Sequence, residues 1–387
     1  MRHRAAVRHL AITGLALLLV APAARAQDDG ARWRNAVTAF EAFARTDRTV
    51  GGTLALVRDG TVLRAHHTGF ADRDARVPVT NATIWHWGSI TKTLTAVLVL
   101  QEAARTPGLL DTPLPTLVPE TRRIHHPFGG MATVTPRHLL SHTSGLQAGT
   151  WPWSRGTDWE PFEPTEWSQL VAMMPYMQVA FAAGSRYSYS NPGVVYLARI
   201  VEQAHDEAWE SLVQKRLWMP LGLDSSYVNS TPPHLLAVRS RNYAHRRDGV
   251  VAGGPDFNTG ITTSNGGWNA PIGDLAAWIA FLAGTPDAAI QARHDRILPR
   301  AAVAAMQVPV IAVDSVQQMG QSLFVREARG RRVVGHTGTQ ANFRSFFWLD
   351  PVTRVAVIGV VNTSHDVEGR ASTARFETMM RAAMEAL

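Results

Sequence analysis

The pattern of hydrophobic and polar positions has strand character in two stretches of the chain, one near each end, where short apolar runs are bounded by turn residues. Near the N-terminus, residues 53–58 and 61–67 have strand character and are joined by Asp59-Gly60, a dipeptide typical of tight hairpins. Residues 355–361 are apolar without alternation, which predicts a strand covered on both faces. The strands predicted toward the C-terminus are residues 323–327, 331–336, 343–349 and 354–361.

Helical periodicity dominates the chain between these two strand regions. From residue 89 to about residue 300 the pattern is mostly helical, with loops rich in Pro, Gly and Trp. Further helices are predicted before the first strands, at 32–45, and after the last, at 371–387. Strands from both ends with helices between them predict an α+β fold, in which an antiparallel β-sheet is flanked by helices and carries an inserted, mainly helical subdomain.

The predicted domain organisation is a signal peptide over residues 1–26 followed by a single domain over residues 27–387. Within that domain we expect an α/β subdomain and a helical subdomain. Their predicted bounds are about 31–88 plus 301–387 for the α/β subdomain and about 89–300 for the helical subdomain.

The predicted signal peptide has the three usual regions. Residues 1–9 are basic, residues 10–20 are apolar, and Ala24-Arg25-Ala26 provides a cleavage site before Gln27. Eleven residues extend only about 16 Å as a helix, too short to span a bilayer core. We therefore expect a protein exported to the periplasm or the medium of a bacterium, with no membrane anchor after cleavage.

Composition narrows the class of protein further. Of 387 residues, 45% are hydrophobic and 18% are charged, which is typical of a packed globular protein and excludes disorder. The formal charge of +7 falls to +3 without the four arginines of the first 26 residues, so we infer no nucleic-acid partner. The chain has no cysteine, which excludes disulfides, thiolate zinc sites and a cysteine nucleophile.

Candidate chemistry begins at Gly88-Ser89-Ile90-Thr91-Lys92. If Ser89 opens a helix, its side chain and that of Lys92 share a helix face, with β-carbons roughly 5–6 Å apart. The Ser89 N–H would then lie in the first turn, where it can donate to an oxyanion. The spacing is consistent with a serine nucleophile and a lysine base; the alternative is a helix-capping serine beside a solvated lysine.

The use of basic residues favours the first interpretation. The 38 basic side chains are 36 arginines and two lysines, Lys92 and Lys215. A chain that otherwise uses arginine for a permanent cation has a lysine three residues after a serine. Only the lysine can be deprotonated and act as a base.

Two later motifs offer further polar groups. Tyr189-Ser190-Asn191 precedes a helix predicted to start at Pro192, and Gly335-His336-Thr337-Gly338 lies on a late strand. Each has a counterpart elsewhere. Tyr227-Val228-Asn229 repeats the first pattern, His67-Thr68-Gly69 repeats the second, and His142-Thr143 matches the second in part. Taken singly, each motif is also consistent with a purely structural role.

The order Ser89-x-x-Lys92, Tyr189-x-Asn191, His336-Thr337-Gly338 resembles the serine β-lactamase and penicillin-binding protein superfamily. The resemblance is closer to the branch of class C β-lactamases, D-aminopeptidases and esterases. It covers residues 50–385, and flanking segments that share it are residues 139–146, 220–223 and 273–275. Position in this order also sets aside the counterparts at Tyr227 and His67.

The resemblance implies an acyl-enzyme mechanism without a cofactor. Ser89 would be the nucleophile, Lys92 its base and Tyr189 a proton shuttle to the leaving group. The oxyanion hole would be the N–H groups of Ser89 and Thr339. Substrate would be bound by Asn191 and along His336, Thr337 and Gly338.

The chain departs from the family pattern at His336, which stands where penicillin-recognising members have lysine. An unperturbed histidine is mostly neutral at neutral pH, so the site lacks a permanent cation for a substrate carboxylate. This favours small ester or amide substrates over β-lactams and D-Ala-D-Ala peptides, the alternative substrates. Arg370 could supply a carboxylate-binding cation instead, and Ala341-Asn342 replaces a common Pro-Gly pair.

Other classes of site are disfavoured. His138 and His142 are four apart, but no H-E-x-x-H motif is present and we predict no metal. There is no G-x-S-x-G and no phosphate-binding loop. Six tryptophans have two possible roles: they would either line an apolar cleft or pack a loop on the core. They are Trp85, Trp87 and the cluster at Trp151, Trp153, Trp159 and Trp167. The remaining alternative is a non-catalytic cell-wall-binding protein of the same fold, which need not keep Ser89, Lys92 and Tyr189 together.

Overall fold

The structure is a computed structural model that describes residues 13–150, 164–254, 256, 258–365 and 368–387, with side chains from residue 30 onward. Within these residues, nine strands form one sheet and helices pack on both of its faces. The predicted α+β architecture is therefore confirmed.

In the described part of the chain, the strands are β1 (Gly51–Arg58), β2 (Thr61–Asp72), β3 (Val77–Pro78), β4 (Trp85–His86), β5 (Tyr243–Arg246), β6 (Gly249–Ala252), β7 (Asn269–Ala270), β8 (Ile311–Ala312), β9 (Gln317–Met319), β10 (Phe324–Ala328), β11 (Arg331–Gln340), β12 (Phe343–Asp350), β13 (Val355–Val361) and β14 (Thr363–His365). The large sheet has the order β3-β2-β1-β13-β12-β11-β10-β9-β8, and its neighbouring strands are antiparallel. The N-terminal hairpin thus pairs with the C-terminal strands at β1 and β13.

The helices of the same residues are α1 (Thr13–Thr46), α2 (Lys92–Arg105), α3 (Leu114–Leu117), α4 (Pro136–Leu140), α5 (Trp167–Met173), α6 (Asn191–His205), α7 (Trp209–Val213), α8 (Met219–Leu221), α9 (Thr263–Gly266), α10 (Ile272–Ala283), α11 (Ala288–Ile297), α12 (Arg300–Met306) and α13 (Gly369–Met384). The mostly helical character predicted from residue 89 to about 300 is present, with the short strands β5, β6 and β7 as additions. Strands of two to four residues carry too little periodicity to be predicted from sequence.

The β1–β2 hairpin forms at Asp59-Gly60 as predicted. Both residues have positive φ, 49° and 79°, the requirement of a type I′ turn. β2 continues through Asp72, beyond the predicted end at residue 67. Gly69, which suggested the end of the strand, lies within it. A β-carbon at Gly69 would lie 1.9 Å from the backbone oxygen of Val50, so glycine permits the close approach.

β11 also runs further than predicted, through residue 340 instead of 336. Thr337-Gly338-Thr339 has the composition of a turn, but its residues pair in register with Phe346, Ser345 and Arg344 of β12. Tertiary pairing overrides local preference here. The extension makes this motif part of a strand edge.

The core lies on both faces of β13, whose seven residues are all buried as predicted. On one face, Phe40 of α1 and Phe376 of α13 pack against Phe346 and Val357 of the sheet. On the other face, α10 packs against β1, β2 and β12 through a second apolar cluster, to which α2 also contributes. The sheet is therefore a middle layer between two sets of helices.

The helix predicted at 32–45 is part of α1, which ends at Thr46. The first twelve residues of the predicted signal peptide lie outside the described residues. Among the described residues, none of the helices combines the length and apolar character needed to cross a bilayer.

We predict that Phe40→Ala destabilises the fold by about 3–5 kcal/mol, the usual cost of removing a buried phenylalanine. Phe40 is fully buried and its ring lies against Gly52 and edge-on to His66, with ring centroids 6.2 Å apart. Urea unfolding measures the change. Val352→Ala, at a position 77% exposed, is the control and should change stability by less than about 0.5 kcal/mol. Equal small effects would contradict the packing of α1 on the sheet.

Candidate active site

We expected Ser89 to open the helix that carries Lys92. It lies instead in a 3₁₀ turn (Gly88–Thr91) that leads into α2. In a 3₁₀ turn, side chains three residues apart eclipse each other, so the turn brings Lys92 over Ser89. The Nζ and Oγ atoms are 3.0 Å apart and hydrogen-bonded. Nζ also donates to the backbone oxygen of Asn265 at 2.8 Å. The contact expected from the spacing is therefore present.

Lys92 is fully buried, and burial lowers the pKa of its amine well below the usual range. Its two hydrogen-bond partners are uncharged oxygens. The ring of Tyr189 lies 4.9 Å from Nζ and attracts a cation, but by only about 0.5–2 kcal/mol. Burying an unpaired ammonium costs several kcal/mol, so the neutral amine is favoured. A neutral amine has a lone pair that can accept the Ser89 proton.

Tyr189 directly precedes Ser190, the N-cap residue of α6. The Ser190 side chain accepts a hydrogen bond from Gly193 N–H at 3.2 Å. The Tyr189 hydroxyl is hydrogen-bonded to the Ser89 side chain. Burial raises the pKa of Tyr189 above its ordinary value despite that bond, so the phenol stays protonated. The site therefore has a neutral hydroxyl beside the serine, able to donate a proton while it receives another.

Asn265, which the sequence interpretation missed, connects Lys92 to Asn191. Its backbone oxygen accepts from Lys92, and its side-chain Nδ2 donates to the backbone oxygen of Asn191 at 3.4 Å. Asn265 is buried in α9, within a Thr-Thr-Ser-Asn-Gly-Gly segment of loop-like composition. A backbone acceptor 173 residues from its donor leaves no signal in the sequence.

The edge of β11 lies directly against the Ser89 turn. A β-carbon at Gly338 would be 1.9 Å from the backbone oxygen of Trp87, and one at Gly88 would be 3.0 Å from Thr339 N. Ser345 of β12 donates to that same Trp87 oxygen at 3.0 Å. The two glycines let the strand and the turn approach closely, which places Thr339 N beside the residue that precedes Ser89.

His336 is buried with its ring 5.0 Å from that of Phe324 and 6.5 Å from that of Tyr189. Its Nδ1 donates to the backbone oxygen of Thr337 at 2.6 Å. Burial, reinforced by Lys92, lowers the pKa of His336 to about 3. The imidazole is therefore neutral, and the position supplies no cation at neutral pH.

His142 is a second histidine of the site. The sequence offered it only as a partial match to the His-Thr-Gly motif and as a residue four positions after His138. Its ring packs on that of Tyr189, with centroids 4.5 Å apart and planes tilted by 30°. Its Nδ1 accepts from Ser190 N–H at 3.2 Å. Burial first, then Lys92 and His336, hold the pKa of His142 well below its ordinary value. His142 is thus a neutral ring against the candidate proton relay.

The other motif copies lie in structural roles. The Tyr227 hydroxyl is hydrogen-bonded to Thr231 Oγ1 at 2.7 Å. His67 of β2 is hydrogen-bonded to Thr53 Oγ1 of β1 at 2.9 Å. Arg370 is exposed in the first turn of α13, and no contact in the described part of the chain links it to Ser89. Its predicted role in binding a carboxylate stays a prediction.

The tryptophans and histidines outside the site are mainly structural. Trp85 and Trp87 are fully buried, and Trp87 Nε1 donates to the backbone oxygen of Ala270 at 2.9 Å. Both therefore pack in the core and do not line a cleft, whereas Trp151, Trp153 and Trp159 lie outside the described residues. Over the described ranges, no three His, Asp or Glu side chains are placed to hold a metal ion.

Comparison with known proteins gives a family and a fold. A model of the beta-lactamase family matches residues 36–378. The chain is 32% identical to esterase EstB of Burkholderia gladioli over 207 residues, 50% of this chain and 51% of the esterase. It is 27% identical to a D-aminopeptidase of Brucella anthropi over 350 residues, 88% of this chain and 62% of that protein. The match therefore spans between half and two thirds of these relatives.

Among solved structures, a class C beta-lactamase has a TM-score of 0.73 with this chain, covering 93% of this chain and 97% of the other. The sequence identity is 18%, so this likeness shows the shared fold. The architecture is the β-lactamase/transpeptidase-like arrangement that the sequence motifs implied.

We predict that the folded state loses stability as the pH falls from about 6.5 toward 4. Buried His86 and His336 have pKa values of about 4 and about 3, whereas the unfolded chain titrates near 6.5. Between these values the unfolded chain binds protons that the native state does not, so unfolding is favoured at lower pH. Each histidine contributes a slope of about 1 kcal/mol per pH unit.

Urea unfolding at pH 7, 6 and 5 tests this dependence. His336→Gln should reduce the slope between pH 6 and 5, whereas Val352→Ala, at an exposed position without a titratable side chain, serves as the control and should not. Identical slopes for wild type and His336→Gln would contradict a neutral, buried His336.

Proposed function

The chain belongs to the beta-lactamase family, and on that premise we propose that it is an exported serine hydrolase that forms an acyl-enzyme at Ser89. The observation that carries the proposal is the 3.0 Å contact between Ser89 Oγ and the buried amine of Lys92. An uncharged lysine beside a serine hydroxyl is a general base in place. Its substrates are small esters or amides without a carboxylate next to the reacting bond.

Acylation begins when Ser89 Oγ attacks the substrate carbonyl carbon and Lys92 accepts the hydroxyl proton. A C–O bond forms and the carbonyl π pair moves onto oxygen, where the N–H groups of Ser89 and Thr339 stabilise the charge. As the intermediate collapses, the bond to the leaving group breaks. The leaving group takes a proton from the Tyr189 hydroxyl, and Tyr189 regains one from Lys92. The product is an ester at Ser89.

Deacylation repeats these steps with water as the nucleophile. The raised pKa of Tyr189 argues that the phenol acts by exchanging protons and not as a standing tyrosinate. Water loses its proton through Tyr189 toward Lys92 while oxygen attacks the acyl carbon. Ser89 Oγ leaves and recovers the proton held on Lys92, which restores the starting state.

The proposed substrate class follows from the charge of the site. His336, at the strand edge, is neutral, and Lys92 favours the neutral form, so an anionic substrate group meets no permanent cation there. An unpaired buried charge costs more than a neutral group of the same size. The names of the esterase and D-aminopeptidase relatives support ester and amide bonds respectively. Asn191, Thr337 and Gly338 are the proposed contacts for the uncharged part of the substrate.

Export is part of the proposal because of the basic, apolar and small-residue segments at residues 1–26. Cleavage after Ala26 would leave Phe40 and the other buried residues of α1 in the mature protein. The absence of cysteine means that the folded protein needs no oxidation after transport.

We predict that Ser89→Ala and Lys92→Arg each reduce hydrolysis of p-nitrophenyl butyrate by about 10²–10⁴-fold or more. The first lacks the nucleophile, and the second carries a guanidinium that stays protonated. Lys215→Arg is the matched control, because Lys215 is the other lysine and forms an exposed ion pair with Glu207. Nitrophenol release gives the rates, and intact mass gives the acyl adduct on wild type only. Normal turnover by Ser89→Ala would contradict the assignment of Ser89 as the nucleophile.

We predict a preference for uncharged substrates on the order of 10²-fold in kcat/KM, the value of one unpaired polar or charged group. The measurement compares p-nitrophenyl butyrate and N-acetyl-D-alanine p-nitroanilide, both uncharged, with nitrocefin, a β-lactam that carries a carboxylate. Ser89→Ala run in parallel removes background hydrolysis. Nitrocefin turnover at a comparable kcat/KM would refute the argument from a neutral His336.

A further inference from the structure

His142 contacts three consecutive residues centred on Tyr189. Its backbone oxygen accepts from Ser188 N–H at 2.8 Å, and its Nδ1 accepts from Ser190 N–H at 3.2 Å. Between these bonds, its ring packs on the Tyr189 ring at 4.5 Å. We propose that His142 is a positioning residue for Tyr189, and that its three contacts fix the phenol hydroxyl beside Ser89. The inference rests on the proposed function, in which Tyr189 relays protons.

The hydrogen bond to Ser190 fixes the form of the His142 ring. A nitrogen that accepts from a backbone N–H carries no proton, so Nδ1 is unprotonated and Nε2 carries the hydrogen. Protonation of Nδ1 would place two donors against each other and break the contact with Ser190. The positioning role therefore requires a neutral imidazole.

The surroundings keep the ring neutral. The titratable groups around His142 are Lys92, His336, Tyr187 and Tyr189, none of which is an acid that would stabilise an imidazolium. Lys92 and His336 both disfavour a charge on His142. The ring thus keeps one tautomer and one hydrogen-bond pattern across the pH range in which Lys92 works as a base.

Two local features of His142 cost stability, which favours a functional reason for its presence. Its φ is +54°, in the left-handed region that glycine and asparagine adopt with least strain. Its Nε2 is buried and has no partner among the described residues, a further cost of about 1–3 kcal/mol. The strained backbone directs both the carbonyl and the ring of one residue at the Ser188–Ser190 segment. Strain that serves such an arrangement is typical of functional sites.

The test substitutes His142 by asparagine, which tolerates the left-handed conformation but has no ring. We expect His142→Asn to fold with unchanged or higher thermal stability. Its kcat for p-nitrophenyl butyrate should fall about 10–100-fold, because a displacement of about 1 Å at a reacting group costs up to about 10²-fold. KM should change less than about threefold, since a positioning residue acts through Tyr189 and not by binding substrate. His67→Asn, at a His-Thr pair on β2 outside the site, is the matched control and should keep wild-type kcat.

A double-mutant cycle with Tyr189→Phe separates positioning from general structural damage. If His142 acts only through the Tyr189 hydroxyl, adding His142→Asn to Tyr189→Phe should lower kcat less than about twofold further. Where turnover of Tyr189→Phe is too slow, the rate of Ser89 labelling by a fluorophosphonate gives the same comparison. His142→Phe, which keeps a ring but loses the Ser190 acceptor, should have a kcat between those of wild type and His142→Asn.

Each outcome assigns the failure to one idea. Wild-type kcat in His142→Asn, or an equal loss in both backgrounds, overturns the positioning role while the Ser89 mechanism stands. Wild type without Ser89-dependent turnover or labelling overturns the proposed function and this inference together. A large rise in KM with unchanged kcat would assign His142 to substrate binding instead, and would equally overturn its positioning role.

Discussion

The burial of Lys92 without a carboxylate partner is the constraint on which the site depends. Desolvation of an ammonium costs several kcal/mol, so the amine is held in its neutral form, and its hydrogen bonds go to uncharged oxygens. The burial that suits Lys92 to its proposed role as a base also requires hydrogen-bond partners for its amine from distant parts of the chain. Asn265 in α9 and Ser89 before α2 supply them, which ties the helical region to the start of the turn.

The contact between the sheet and the Ser89 turn is a second constraint. It requires glycine, because the two backbones approach too closely to leave room for a β-carbon. Gly338 lies against Trp87, whose oxygen also accepts from Ser345 of the next strand. A side chain on Gly338 would push β11 away and separate Thr339 N from the turn. The site is therefore assembled from two rigid layers, and glycine at this point is what lets them meet.

Much of this could be predicted from sequence, where the physics is local. Two strand-like runs joined by Asp59-Gly60 predicted the hairpin, and the unbroken apolar run predicted the buried β13. The spacing of Ser89 and Lys92 predicted their contact. The resemblance to the family is confirmed by the match over residues 36–378. The parts that could not be predicted are tertiary. Asn265 acts through its backbone oxygen, and His142 acts through contacts with residues 46 to 48 positions later. Such contacts leave no periodicity or motif.

The neutrality of the two site histidines follows first from their own burial and then from the proximity of Lys92. A second permanent cation at residue 336 would raise the cost of protonating Lys92 but would also bury a charge of its own. Histidine avoids that cost because its pKa falls to about 3 and the ring becomes an uncharged neighbour. A ring is also able to pack against Phe324 and face Tyr189, which an ammonium does less well. Histidine at residue 336 therefore gives the Lys92 amine an uncharged neighbour in place of a cation, and this neutrality is the physical basis of the proposed preference for uncharged substrates.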